Sequence, residues 1–125
     1  IDDRRVYLSG HSNGSMMAHR YAAEDPGLVA AIAGVAGGFS AIPTDGCPNP
    51  PAVRIVHGYE DTHVPFAGGV GPKALDPYDH IPIEQTEAWW RGQGGDVEAV
   101  YGKWGHVWPA GETARQWALF KGHVL

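Results

Sequence analysis

The 125-residue sequence predicts an α/β fold, a mostly parallel sheet with helices on both faces. Three observations carry that expectation. Segments of strand character alternate with segments of helical character along the chain. The run from Leu28 to Val35 is almost wholly apolar and has the length of a strand buried on both faces. Finally, Gly10-His11-Ser12-Asn13-Gly14 stands between an apolar run, Val6-Tyr7-Leu8, and a helix-compatible run, Met16 to Glu24.

The elements follow in order. Arg5 to Ser9 reads as a strand, and Ser12 to Glu24 as a helix closed by Asp25-Pro26-Gly27. Leu28 to Val35 is the buried strand, and Gly37 to Pro51 is a loop rich in Gly and Pro. Ala52 to His57 is the next strand. Gly58 to Pro82 is a long irregular stretch, and loops of that length are commonly functional. A helix over Ile83 to Arg91 follows, with Pro82 suited to its first turn, and Gln93-Gly94-Gly95 breaks it. Val97 to Tyr101 alternates like a half-buried strand, and Gly102 to Gly111 is a loop. The last helix, Thr113 to Lys121, opens on a capping-box pattern, Thr113 with Gln116, and carries Thr113, Trp117 and Phe120 on one face. Trp89, Trp90 and Trp117 are expected in the core.

Length fits one domain, residues 1–125. Four strands and three helices make about half of a doubly wound sheet, and the first strand is expected to be central. The chain is therefore expected to be the C-terminal part of a larger domain whose N-terminal strands lie upstream. Ile1-Asp2-Asp3-Arg4-Arg5 shows neither the charged nor the apolar region of a signal peptide.

An apolar fraction of 43% with five tryptophans is incompatible with a disordered chain. A net charge of −5 without a basic stripe argues against a nucleic-acid or anionic-membrane partner. No apolar run approaches the ~20 residues that a bilayer span needs. Cys47 is the single cysteine, so no disulfide forms within the chain; it reads as a buried or loop thiol, or as the partner of a cysteine elsewhere.

The glycine-bounded serine carries the chemistry. A strand, a sharp turn and a helix around G-x-S-x-G form a nucleophile elbow, which exposes the Ser12 hydroxyl at its tip. A serine hydroxyl needs a base, and the base needs a carboxylate to orient it. In this architecture the order is Ser, acid, His, each on a loop after a strand. Asp61 sits after the strand ending at His57, with Glu60 as its neighbouring rival; Asp45, Asp76 and Asp79 lack a strand-end position. His11, His19 and His57 precede the acid, His63 and His80 come before the last strand, and His123 is near the terminus. His106, in Gly105-His106-Val107-Trp108-Pro109, is left as the base.

The Asn13 backbone N–H is the expected first oxyanion donor, with a second donor expected from an earlier strand's loop. His11 and Trp108 are candidate substrate contacts. Trp104, Tyr59 and Phe66 either anchor loops or form an aromatic wall. His57, Glu60, Asp61, His63 and His80 match no zinc-binding spacing, so neither a metal nor a cofactor is expected.

Arg5 to Ala18 resembles the elbow of the polyhydroxybutyrate depolymerase-like esterases, an α/β-hydrolase group that includes feruloyl and acetylxylan esterases. Val29 to Gly38 resembles the strand after the elbow helix. His57-Gly58 with Asp61, Val64-Pro65-Phe66 and Gly68-Gly69 resembles the acid loop, and Gly105 to Pro109 the histidine loop. The resemblance implies a secreted serine esterase acting on polyhydroxyalkanoate, feruloyl or acetyl esters, with Ser12 as nucleophile, Asp61 as acid and His106 as base. Ser15 departs from the family, which commonly has a further glycine there, and Ala74 to Pro82 has no clear counterpart; both bear on pocket shape. Two other readings stand beside it: a serine peptidase of the prolyl oligopeptidase type, and a catalytically inert binding fragment.

Overall fold

In the computed structural model, which describes all residues 1–125, the strands β1 (Tyr7–His11), β2 (Ala31–Val35), β3 (Ala52–Gly58) and β6 (Val97–Gly102) lie side by side in that order, all parallel. The register runs Tyr7 beside Ala31, Ala31 beside Ala52 and Val53 beside Val97. The helices are α1 (Asn13–Glu24), α2 (Ile83–Gly92) and α3 (Glu112–Lys121). The α/β class read from the sequence is the one observed.

Every residue of β2 and β3 is buried, which explains the unbroken apolar character of β2, while β3 also buries Arg54 and His57. Successive side chains point to opposite faces. On one face Ile32, Val53 and Ile55 pack with Ala22 and Ala23 of α1 and with Ile83 and Trp90 of α2. On the other, the small residues Ala31, Ala33 and Ala52 leave room for Phe120 of α3, which stacks on Tyr7 with ring centroids 4.9 Å apart. Because the strands are parallel, β1, β3 and β6 all deliver their following loops to one edge of the sheet, where open α/β sheets bind ligands.

The boundaries differ from the sequence expectation in physically readable ways. β1 and β2 begin later than read, at Tyr7 and Ala31, and Leu28 is exposed. The stretch from Gly58 to Pro82 is not wholly irregular: β4 (Gly69–Val70) and β5 (Asp79–His80) pair as a short antiparallel hairpin. The capping box does not form. α3 starts at Glu112, with Gly111 in the left-handed region (φ 79°) as its cap and no side-chain capping bond. Thr113 instead accepts a hydrogen bond from Trp108 Nε1 (3.1 Å), and Gln116 turns inward.

The buried face of α3 is Glu112, Gln116 and Phe120, four residues apart, so Trp117 points to solvent at 59% exposure rather than into the core. That face is partly polar because Arg54 of β3 lies beneath it: Arg54 Nε and Nη2 hold the Glu112 carboxylate at 2.9 and 2.7 Å. Trp90 is fully buried, as expected, and Trp89 half-buried. Cys47 is a buried thiol, 3.8 Å from the Ala22 carbonyl, and burial raises its pKa.

Candidate active site

β1 ends where the chain must reverse sharply into α1, and Ser12 occupies the corner. Its backbone sits at φ 57°, ψ −117°, a conformation that non-glycine residues avoid. The corner is held by the Ser12 N–H bonded to the Val35 carbonyl (2.7 Å) and the Ser12 carbonyl bonded to Met16 N–H (3.1 Å). Gly10 makes the turn possible, because a Cβ there would meet the Gly14 carbonyl group. Asn13 is the first residue of α1, so its N–H has no acceptor within the helix. The helix N-terminus adds positive potential beside the Ser12 hydroxyl.

Asp61 and His106 come from the loops after β3 and β6. Those loops are tied together by Tyr59 N–H to the Gly102 carbonyl (2.8 Å) and Glu60 N–H to the Trp104 carbonyl (3.1 Å). Gly58 allows this approach, since a Cβ would collide with the Trp104 carbonyl oxygen. Asp61 is buried while Glu60 points to solvent, which separates the two rival acids. Asp61 Oδ1 accepts the backbone N–H groups of His63 (2.9 Å) and Val64 (2.8 Å). Its Oδ2 lies 2.8 Å from His106 Nδ1. A carboxylate can only accept there, so Nδ1 carries the proton and Nε2 keeps its lone pair.

Other histidines crowd the pair. The His63 ring stacks on His106 with centroids 4.7 Å apart, and His11 tilts against it at 4.8 Å. Burial holds His11 below the usual imidazole range, with repulsion from His106 adding to it and Asp61 opposing it. Burial likewise lowers the pKa of His57 and His80. Asp61, His63 and His106 are the residues that could reach one cation, their ligand atoms lying within 4.8 Å of one another. Asp61 Oδ2 and His106 Nδ1 are already joined by a proton, which a cation would have to displace.

Ser12, Asn13 and His106 open onto one cavity of about 510 Å³. No direct hydrogen bond joins Ser12 to His106, and such contacts commonly tighten only with substrate. Met16, one helical turn beyond Ser12, lines the cavity along with Ser40, His63 and Val64. The returning segment of the β4–β5 hairpin closes the cavity with Ala74, Leu75, Asp76, Tyr78 and His80, and Tyr78 donates its hydroxyl proton to the Ser40 carbonyl (3.0 Å). The sequence marked that segment only as part of a long irregular stretch, with Ala74 to Pro82 lacking a clear counterpart in the resembled family. His11 and Trp108 do not line this cavity; Trp108 sits 6.5 Å from His11. Trp104 packs against Gly58 and Gly102 as a loop anchor.

The chain is similar in structure to esterase PE8, with a TM-score of 0.68 and 20% identity over 98% of this chain and 52% of that one. It is also similar to protein Atu2452 of unknown function from Agrobacterium tumefaciens str. C58, with a TM-score of 0.67 and 23% identity over 94% of this chain and 52% of that one. The chain thus spans about half the length of these solved structures, and at these identities the likeness is one of fold. No protein-family model and no curated protein sequence matches the chain.

Proposed function

We propose that this chain carries the catalytic residues of a serine carboxylic-ester hydrolase working through an acyl-enzyme. The observation that supports it most is the 2.8 Å hydrogen bond from buried Asp61 to His106, which opens on the same cavity as a serine held in an elbow conformation. The structural likeness to a protein described as an esterase supports the same reading.

In this mechanism His106 Nε2 takes the Ser12 proton as Ser12 Oγ attacks the ester carbonyl. The Asn13 N–H donates to the developing oxyanion, a contribution worth on the order of 100- to 1000-fold in rate for a single donor. His106 then gives its proton to the departing alcohol, and a water molecule repeats the steps on the acyl-enzyme. Asp61 orients His106 and stabilises the imidazolium. His11 packs beside the base, outside the cavity.

The resemblance noted in the sequence adds a finer reading: a secreted esterase of the polyhydroxybutyrate depolymerase-like group, acting on hydroxyalkanoate, feruloyl or acetyl esters. Hydrolysis of short p-nitrophenyl esters by the full-length protein, and its loss in Ser12→Ala, tests the reaction class. A Ser12→Ala variant that keeps the wild-type rate overturns it.

A further inference from the structure

His57 is the one fully buried imidazole beside the acid that the mechanism above leaves without a task. It lies on β3, four residues before Asp61, with no exposed surface. Its Nε2 is 2.8 Å from the Val64 carbonyl oxygen and 3.4 Å from Asp61 Oδ2. A carbonyl only accepts, so Nε2 carries the proton and donates it to Val64, with the Asp61 carboxylate close by but not hydrogen-bonded to it. The other nitrogen, Nδ1, is buried without a partner. A histidine kept only for packing would not need to leave a polar atom unsatisfied, a cost of about 1–3 kcal/mol.

We propose that His57 is a positioning residue for the acid: its Nε2–H clamps the Val64 carbonyl, holding the turn that carries Asp61 so that the carboxylate keeps the orientation that receives His106. The assignment rests on the esterase reading for its consequence in turnover, though not for its geometry. Asp61 has three hydrogen-bond partners, two backbone N–H groups on Oδ1 and His106 on Oδ2. The turn from Asp61 to Val64 is pinned at both ends, by Val64 N–H to Asp61 Oδ1 and by His57 to the Val64 carbonyl.

The charged and titratable groups that act on His57 are Asp61, His106 and His80, and burial favours its neutral form.

The test uses the full-length protein. His57→Phe keeps a ring of similar size but removes the donor, while His57→Gln places an amide N–H at nearly the same reach. The expected result is a kcat/KM for His57→Phe lower by about 10- to 100-fold, the scale of a small misplacement. His57→Gln, which can still donate to the Val64 carbonyl, restores the rate. A rate in His57→Phe equal to wild type, or a Gln variant as impaired as Phe, overturns the assignment. Should His57→Phe fail to fold, ¹⁵N NMR of the wild-type imidazoles decides. A protonated Nε2 and bare Nδ1 on His57 support the clamp, and the opposite tautomer overturns it. Absence of Ser12-dependent turnover in the wild type ends the esterase reading separately, since the tautomer is read without any activity.

Discussion

Truncating Glu112 to Ala removes the main partner of a guanidinium that has almost no access to water. The Arg54 side chain is 4% exposed and that of Glu112 1%. Glu112 meets Arg54 with two bonds, 2.9 Å to Nε and 2.7 Å to Nη2, and takes a third from Gln116 Nε2 at 3.0 Å. The Glu112 bond is also the largest influence raising the Arg54 pKa, ahead of the opposing burial. Removing one partner of a buried pair costs ~3–5 kcal/mol. Glu98 stays bound to Nη1 at 2.8 Å but is 55% exposed, so solvent screens what it returns.

The expected cost is therefore about 3 kcal/mol, at the low end of that range. In urea this lowers the midpoint by about 1–2 M with an unchanged slope. In heat it lowers Tm by about 10 °C. Arg54→Met with Glu112→Leu exchanges the pair for apolar groups and recovers most of the loss. A Glu112→Ala variant within about 1 kcal/mol of wild type refutes the reasoning, as does a double variant no more stable than the single one.

Other outcomes follow from the same geometry. His19 is fully buried, accepts a hydrogen bond from Trp90 Nε1 (3.0 Å), and burial pushes its pKa down to about 4 from 6.5. The unfolded chain binds that proton more readily, so stability is present above pH 6.5 and lost as pH falls towards 4, by about 3 kcal/mol in total. Urea titrations at pH 7 and 4.5 read this, and His19→Asn flattens the slope. Asp61→Asn leaves His106 in the wrong tautomer and is expected to lower kcat by about 10³- to 10⁴-fold in ester hydrolysis; a loss under tenfold would contradict the pairing. Gly10→Ala drives a Cβ into the Gly14 backbone and is expected to cost about 1–3 kcal/mol by denaturation, with activity falling alongside.

What could be read from the sequence was what periodicity and punctuation encode. The apolar runs marked β2 and β3, the latter interrupted by Arg54, and Ser12, Asp61 and His106, picked out by their order along the chain, stand at one edge of the sheet. What stayed hidden depends on long-range partners. Trp117 reads as core by composition, yet Arg54, 63 residues earlier, makes the buried side of α3 polar and turns that indole outward. Thr113 and Gln116 have capping-box spacing, but Trp108 and Glu112 compete for them. Tyr78 and Ser40 meet only because a two-residue hairpin, too short to show a period, folds their segment back over the cavity.

Covalent labelling tests the central claim most directly. The full-length protein is treated with a fluorophosphonate and its peptides are mapped by mass spectrometry. The chain has four serines, Ser9, Ser12, Ser15 and Ser40, and Ser40 lines the same cavity as Ser12. The expected adduct is on Ser12 alone, and it disappears in Asp61→Asn and in His106→Ala. An adduct on Ser40, or equal labelling of Ser12 with and without His106, contradicts the account.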